Sequence, residues 1–144
     1  TIGTLDGANV EIVERVGIEN AFIFGLTAEE VEARTSTGYN PREVYEASPR
    51  LRRVLDYVAS GVLSPEEPAL FRQLVDGLLH HDPYMVLADF DAYVAAQAAV
   101  DEAWRDDDGW TRKAILNVAR CGWFSSDRSV RQYANEIWKL KPGA

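Results

Sequence analysis

The segment GTLDGANVE, Gly3 to Glu11, combines residue types that could bind a phosphate group. Gly3 and Gly7 flank Asp6 and lead into a stretch that predicts a helix, so free backbone N–H groups would meet the positive end of a helix dipole. The spacing matches neither GxGxxG nor GxxxxGK[ST], the two glycine patterns typical of phosphate binding. The residue types alone therefore favour a turn followed by a helix that Asp6 caps.

Three other groups could carry chemistry, and each has a simpler interpretation. His80 and His81 in HHDPY resemble metal ligands, but neighbours on a helix point about 100° apart and cannot easily share an ion. Cys121 could be a nucleophile, but neither histidine is near it in sequence, so a small core residue is favoured. The acidic turn Asp106–Gly109 lacks the ligand spacing of a calcium loop. The sequence therefore predicts no catalytic set and no metal site.

Tryptophans are the last candidates, because aromatic rings can stack on sugars. The four tryptophans lie in the second half of the chain, at Trp104, Trp110, Trp123 and Trp138. Trp110 and Trp138 fall on predicted helix faces, which favours core packing over ligand binding.

Composition limits the class of protein. The chain has 144 residues, 47% hydrophobic and 26% charged, with a net charge of −8, which suits one globular domain. The negative charge argues against nucleic acid or an anionic membrane as a partner. A single cysteine excludes an intrachain disulfide and favours a reducing, cytoplasmic environment. No apolar run is long enough to span a bilayer.

The elements that would position these residues are mostly helices. A helix is predicted from about Gly7 to Val16, ending at Gly17, and the continuous apolar run Ala21–Phe24 predicts a buried strand. Cap residues, most followed by proline, predict four helix starts, at Thr27, Asn40, Ser48 and Ser64. Apolar stripes predict helices after Ser48 and over Leu70–Leu79.

The second half of the chain continues this pattern. Met85–Phe90 is predicted to be extended or a short strand, and a long helix is predicted from about Asp91 to Arg105. Another is predicted from Trp110 to Cys121, and a last helix follows a cap at Ser125 or Ser126. The inner face of that last helix is predicted to comprise Val130, Tyr133, Ala134, Ile137 and Trp138.

The predicted strand at Ala21–Phe24 needs partners. A single strand cannot satisfy its own backbone hydrogen bonds, and this one is apolar on both faces. Its neighbours are therefore expected to come from elsewhere, in a larger α/β protein of which the chain is a C-terminal part. Residues 1–25 would be a turn–helix–strand piece of the sheet, and residues 26–144 a helical remainder.

Several strings in register then point to a family. The chain resembles the C-terminal end of the α-glucan phosphorylases (glycogen, starch and maltodextrin phosphorylases) over essentially its whole length. The strings that carry the resemblance are TIGTLDGANVEI, ENAFIFG, GYNPREVY, SGVLSP, HHDPYMVLADFDAY, WTRKAILNVA and FSSDRSVRQYANEIW.

The resemblance implies a fold and an activity. The fold would be the last part of the second Rossmann-like domain of a glycosyltransferase B arrangement. The reaction would be the reversible phosphorolysis of α-1,4-glucan with inorganic phosphate, giving glucose 1-phosphate. The cofactor would be pyridoxal 5′-phosphate, held by a lysine as a Schiff base, in a cytosolic homodimer.

The cofactor lysine of such enzymes lies in a glycine-rich GTGNMK-type segment, expected shortly before the point that matches Thr1. The lysines of this chain are Lys113, Lys139 and Lys141, and none falls in a matching motif. The chain alone is therefore expected to be inactive and to hold no cofactor covalently. The residues expected to support the cofactor site from behind are Thr4, Asp6, Gly7 and Asn9.

A second hypothesis comes from a different class of function. The chain could be a free-standing, non-catalytic helical module that binds glucan or a protein partner. The lone apolar strand at Ala21–Phe24 favours the phosphorylase hypothesis, because a free-standing module should supply its own sheet partners.

Overall fold

The computed structural model describes residues 1–140, in which two short strands form a parallel sheet. Strand β1 is Ile2–Thr4 and strand β2 is Phe22–Phe24, and Gly3 lies opposite Ile23 in the pairing register. The helix between them, α1, is Gly7–Val16, as predicted, so the chain begins with a β–α–β unit. The expectation that β2 takes its neighbours only from elsewhere is wrong at one edge. Sequence analysis did not predict β1, because a strand of three residues before a glycine turn is too short to show a recognisable hydrophobic pattern.

The rest of the described chain is helical. Helix α2 begins at the predicted Thr27 cap, and helices α3 and α4 each begin at the predicted proline. The bounds are α2 Ala28–Thr37, α3 Pro41–Ala47, α4 Pro49–Ala59, α5 Arg72–His80, α6 Phe90–Trp104, α7 Asp107–Arg120 and α8 Ser126–Gln132. Short 3-10 turns cover Ile18–Asn20 and Cys121–Phe124, and a π turn at Tyr133–Ile137 extends α8. None of these helices is long and apolar enough to cross a membrane.

One predicted helix start is wrong. Ser64–Pro65 is followed by turns, and the next helix begins only at Arg72. A helix capped by Ser64 would need the N–H of residue 68 to bond the Ser64 carbonyl, but residue 68 is proline. Pro68 instead packs against Gly61, whose φ of +84° lets the chain turn after α4.

The core lies between α4, α5 and the segment that precedes α6. Leu51 and Leu55 of α4 are buried against Val75 of α5 and Leu87. The predicted stripe of α4 is therefore confirmed at two positions, but Val54 is 42% exposed. The stripe predicted over Leu70–Leu79 is only partly buried, and Leu70 and Leu74 are more than half exposed.

Met85–Phe90 is not extended, contrary to expectation. The segment forms a series of turns that lead into α6, and Met85 has a positive φ of 53°. The turns form because the Asp82 carboxylate accepts hydrogen bonds from the backbone N–H groups of Val86 and Leu87. An acidic side chain that bonds nearby backbone groups competes with strand formation.

The prediction for the last helix is correct in type and wrong in burial. Its bounds include α8 and the π turn, but Val130, Tyr133, Ile137 and Trp138 are each at least half exposed. Trp110 differs: it is partly buried on α7 and packs against Phe22, as core packing predicts.

Candidate functional site

The turn that follows β1 is closed by its own side chains. The Thr4 hydroxyl Oγ1 donates to Asp6 Oδ2 at 3.1 Å, and Asn9 Nδ2 donates to the Thr4 carbonyl at 2.9 Å. Asn9 also lies over Gly3, where an added Cβ would be 2.5 Å from Asn9 Nδ2. Three of the four residues expected to support a cofactor site therefore form one network. Gly7 contributes by its conformation, with a φ of +47°.

Asp6 does not cap α1 with its side chain, and that expectation is corrected. Asp6 has the extended backbone of an N-cap residue, but its carboxylate accepts no hydrogen bond from the helix. The first turn is closed by the backbone instead, through Asn9 N and the Asp6 carbonyl at 3.0 Å. The carboxylate is engaged by Thr4, because a hydroxyl two residues away is a local competitor for it.

The end of β2 is fixed by a residue that sequence analysis missed. The backbone N–H of Leu26 donates to Asp89 Oδ1 at 2.8 Å, across 63 residues. Gly25, with a φ of +83°, lies so close that an added Cβ would be 2.6 Å from Asp89 Oδ2. Asp89 immediately precedes α6, and no local pattern in the sequence indicates its contact with Leu26.

Asp82 organises the neighbouring segment. This carboxylate is 4% exposed and accepts from Val86 N at 2.9 Å, from Leu87 N at 2.8 Å and from Tyr39 Oη at 2.9 Å. Burial of the phenol, together with its hydrogen bond to Asp82, raises the pKa of Tyr39 above its usual range. The same segment carries Tyr84, whose side chain is 86% exposed.

These three features surround one cavity of about 580 Å³ at the carboxyl ends of the two strands. Thr4 and Phe24, the last residues of β1 and β2, both line it. The remaining lining side chains that bear polar or aromatic groups are Asp6, Tyr84, Asp89, Phe90 and Tyr93. Ligands of open α/β sheets bind at this edge, outside the carboxyl ends of the strands.

The other sequence candidates lie apart from this cavity. His80 ends α5, and its Nδ1 is 2.7 Å from the Asp76 carbonyl. Residues 1–140 contain no group of three side chains able to hold a metal ion. Cys121 is partly buried and is the first residue of the 3-10 turn that follows α7. Asp106 caps α7 by accepting from Gly109 N at 3.1 Å, so the acidic turn begins a helix.

Lys113 and Trp123 take structural positions. Lys113 on α7 donates to the carbonyl of Glu19. Lys141 lies outside the described residues. The Trp123 ring is contacted by two guanidinium groups, with Arg15 Cζ 3.8 Å and Arg128 Cζ 4.1 Å from its centroid. Such cation–π contacts join α1 to the start of α8.

Comparison with known proteins assigns the family. The structure is that of an α/β protein, mostly helical with a small parallel sheet. Residues 1–140 match the family model described as carbohydrate phosphorylase, and the chain belongs to that family. The confirmed resemblance extends over the whole described chain.

Curated relatives agree with this assignment. The chain is 56% identical over 142 residues to glycogen phosphorylase of Synechocystis and 51% identical to the brain form of human glycogen phosphorylase. It is 47% identical to the muscle form of the mouse enzyme. Each alignment covers 99% of this chain and 17% of the relative, so the chain spans about one sixth of their length.

Proposed function

We propose that the chain is part of an α-glucan phosphorylase, which catalyses the reversible phosphorolysis of α-1,4-glucan to glucose 1-phosphate. The observation that carries the proposal is the 56% identity to a glycogen phosphorylase over 99% of the chain. The partners would be α-glucan, inorganic phosphate and glucose 1-phosphate, in a cytoplasmic homodimer.

The same proposal includes a more detailed assignment of the fold. The chain would be the last part of the second Rossmann-like domain of a glycosyltransferase B fold, divided into residues 1–25 and 26–144. The parallel pairing of β1 and β2 supports this, because all-parallel sheets are built from more strands with helices on both faces. The edge of β1 away from β2 has no strand partner among the described residues, so it offers a place for the next strand.

The cofactor of the complete enzyme would be pyridoxal 5′-phosphate. The described residues do not fit direct binding, because no lysine lines the cavity at the carboxyl ends of the strands. Lys113 is engaged by the Glu19 carbonyl instead. A lysine preceding Thr1 would form the Schiff base, and the isolated chain would be inactive.

Thr4, Asp6, Gly7 and Asn9 would support the cofactor site through the turn that they close. In the complete enzyme, Asp6→Ala would remove the acceptor of the Thr4 hydroxyl and loosen the turn. We expect faster loss of the cofactor, followed by its absorbance during dialysis. Asp6→Asn keeps an acceptor oxygen and serves as the matched control. Unchanged cofactor retention in Asp6→Ala would refute the role.

The activity is tested with the complete protein that carries this sequence. Incubation with maltoheptaose and inorganic phosphate should release glucose 1-phosphate, whereas the 144-residue chain alone should release none. The competing hypothesis of a free-standing module predicts a monodisperse chain in solution. A piece with the open edge of β1 should self-associate, as light scattering would detect.

A further inference from the structure

Helix α4 concentrates positive charge in its first turns. Arg50, Arg52 and Arg53 lie within four positions of each other, and the segment 48–55 contains no acidic residue, although the whole chain has a net charge of −8. Arginine near the start of a helix opposes the helix dipole, so the stability of α4 does not account for the cluster. The positive charge is therefore a property of the surface that α4 presents.

Two of these arginines have no polar partner among residues 1–140. Arg52 donates a hydrogen bond to the Glu46 carbonyl. Arg50 and Arg53 are exposed, and in that part of the chain their side chains form neither an ion pair nor a hydrogen bond. A guanidinium group pairs best with a carboxylate, through two parallel hydrogen bonds. Arg50 and Arg53 can therefore both receive carboxylates from another molecule.

Exposed apolar side chains accompany the arginines on α4. Residues three and four apart are neighbours on a helix, so positions 50, 53, 54 and 57 share one side of α4. Val54 is 42% exposed and Tyr57 is 53% exposed, whereas Leu51 faces the core and is buried. We call this surface the arginine face, which comprises Arg50, Arg53, Val54 and Tyr57. Its exposure shows that no other described element covers it.

We propose that the arginine face of α4 docks an acidic, amphipathic segment of a partner protein. Carboxylates of the segment pair with Arg50 and Arg53, and its apolar side chains cover Val54 and Tyr57. A long polyanion fits less well, because beyond the two arginines it would run along a chain of net charge −8. The described lining of the cavity at the carboxyl ends of the strands includes no residue of α4, so docking leaves that cavity open.

The test uses the complete protein and a fluorescein-labelled peptide in which glutamate and leucine alternate with helical spacing, with binding followed by fluorescence anisotropy. The double variant Arg50→Ala/Arg53→Ala should bind about tenfold more weakly, because two exposed charge pairs are lost. Arg105→Ala/Arg112→Ala is the matched control, because it removes two exposed arginines outside the arginine face and changes the net charge equally. The control should bind the peptide as the wild type does.

The outcomes do not depend on phosphorolysis. Weaker binding in Arg50→Ala/Arg53→Ala than in the control variant supports the arginine face, even if the complete protein releases no glucose 1-phosphate. Equal affinities of the two double variants overturn it, since the peptide would then respond at most to net charge. An absence of binding by the wild type also overturns it, because another part of the complete protein would then cover α4. Displacement of the peptide by polyphosphate at a lower concentration of negative charge would show that the occupant is a phosphate polymer, and the proposal would be wrong.

Discussion

Tyr39 Oη donates a hydrogen bond to Asp82 Oδ2 at 2.9 Å, and it joins the segment after α2 to the segment after α5. Asp82 is almost completely buried and accepts two further bonds from the backbone of Val86 and Leu87. A buried carboxylate is tolerated only when its oxygens are satisfied in this way. The Tyr39–Asp82 pair therefore holds the segment that presents Tyr84 to the cavity.

Removing the Asp82 carboxylate should destabilise the protein strongly. Asp82→Ala leaves the buried N–H of Leu87, the partly buried N–H of Val86 and one phenol without an acceptor, and we expect a loss of about 3 kcal/mol in the free energy of unfolding. Urea unfolding measures it. Asp56→Ala is the matched control, because Asp56 accepts from Tyr45 in an exposed pair and should cost less than about 1 kcal/mol. Equal losses in the two variants would contradict the assigned role.

The Tyr39 phenol should make stability depend on alkaline pH. Its folded pKa is raised above the ordinary value of 10.0, first by burial and then by Asp82. The contribution of the Tyr39 phenol to the free energy of unfolding is therefore complete below about pH 10. It is lost as the pH rises through the pKa of Tyr39 in the folded protein.

Comparison of the wild type with Tyr39→Phe isolates this contribution, because all other groups titrate alike. The difference in the free energy of unfolding should be constant from about pH 7 to 9 and should shrink above about pH 10. Tyr45→Phe serves as the comparison: its hydrogen bond to Asp56 also raises the pKa of Tyr45, but the pair is exposed, so the pH-dependent change should be smaller. A Tyr39 difference that grows above pH 10 would show that the sign is wrong.

Gly25, at the exit of β2, should tolerate substitution poorly. Gly25→Ala must adopt a φ of +83° and place its Cβ 2.6 Å from Asp89 Oδ2. Gly38→Ala has a similar φ of +91° but meets no atom within 4 Å, so it isolates the backbone cost of about 1–2 kcal/mol. We expect a lower melting temperature for Gly25→Ala than for Gly38→Ala. Equal melting temperatures would mean that Asp89 moves without cost.

The features that sequence analysis predicted correctly are those that local chemistry determines. The capping box at Thr27 and the starts of α3 and α4 depend on residues within one turn of each other, and the structure has all three. The family could also be predicted, because the sequence motifs that resemble it occur in the expected order along the chain.

The features that were missed depend on residues far apart in sequence. Asp89 contacts Leu26, 63 residues away in sequence, and Asp82 contacts Tyr39, 43 residues away. Hydrophobic periodicity along the chain predicts neither contact. The exposure of Trp138 could not be predicted either, because an apolar helix face indicates that something covers it without indicating what. The cavity was not predicted either, because its walls come from four segments that are far apart in sequence.

Two helix starts that look alike in sequence should respond differently to alanine. Thr27 caps α2 with a full capping box, in which its hydroxyl accepts from Glu30 N at 3.3 Å and Glu30 Oε2 accepts from Thr27 N at 2.8 Å. Thr27→Ala should therefore cost about 1 kcal/mol in the free energy of unfolding. Asp6→Ala should cost less, because the Asp6 carboxylate bonds Thr4 in an exposed pair and not the helix.

Urea unfolding at neutral pH measures both losses, and circular dichroism reports the helix content that remains. Glu30→Ala provides a second test, since it removes only the reciprocal half of the box. A loss in Asp6→Ala as large as that in Thr27→Ala would show that Asp6 caps α1 after all. Its carboxylate would then be turned away from the cavity, and Asp89 would be the acidic side chain left in the described lining.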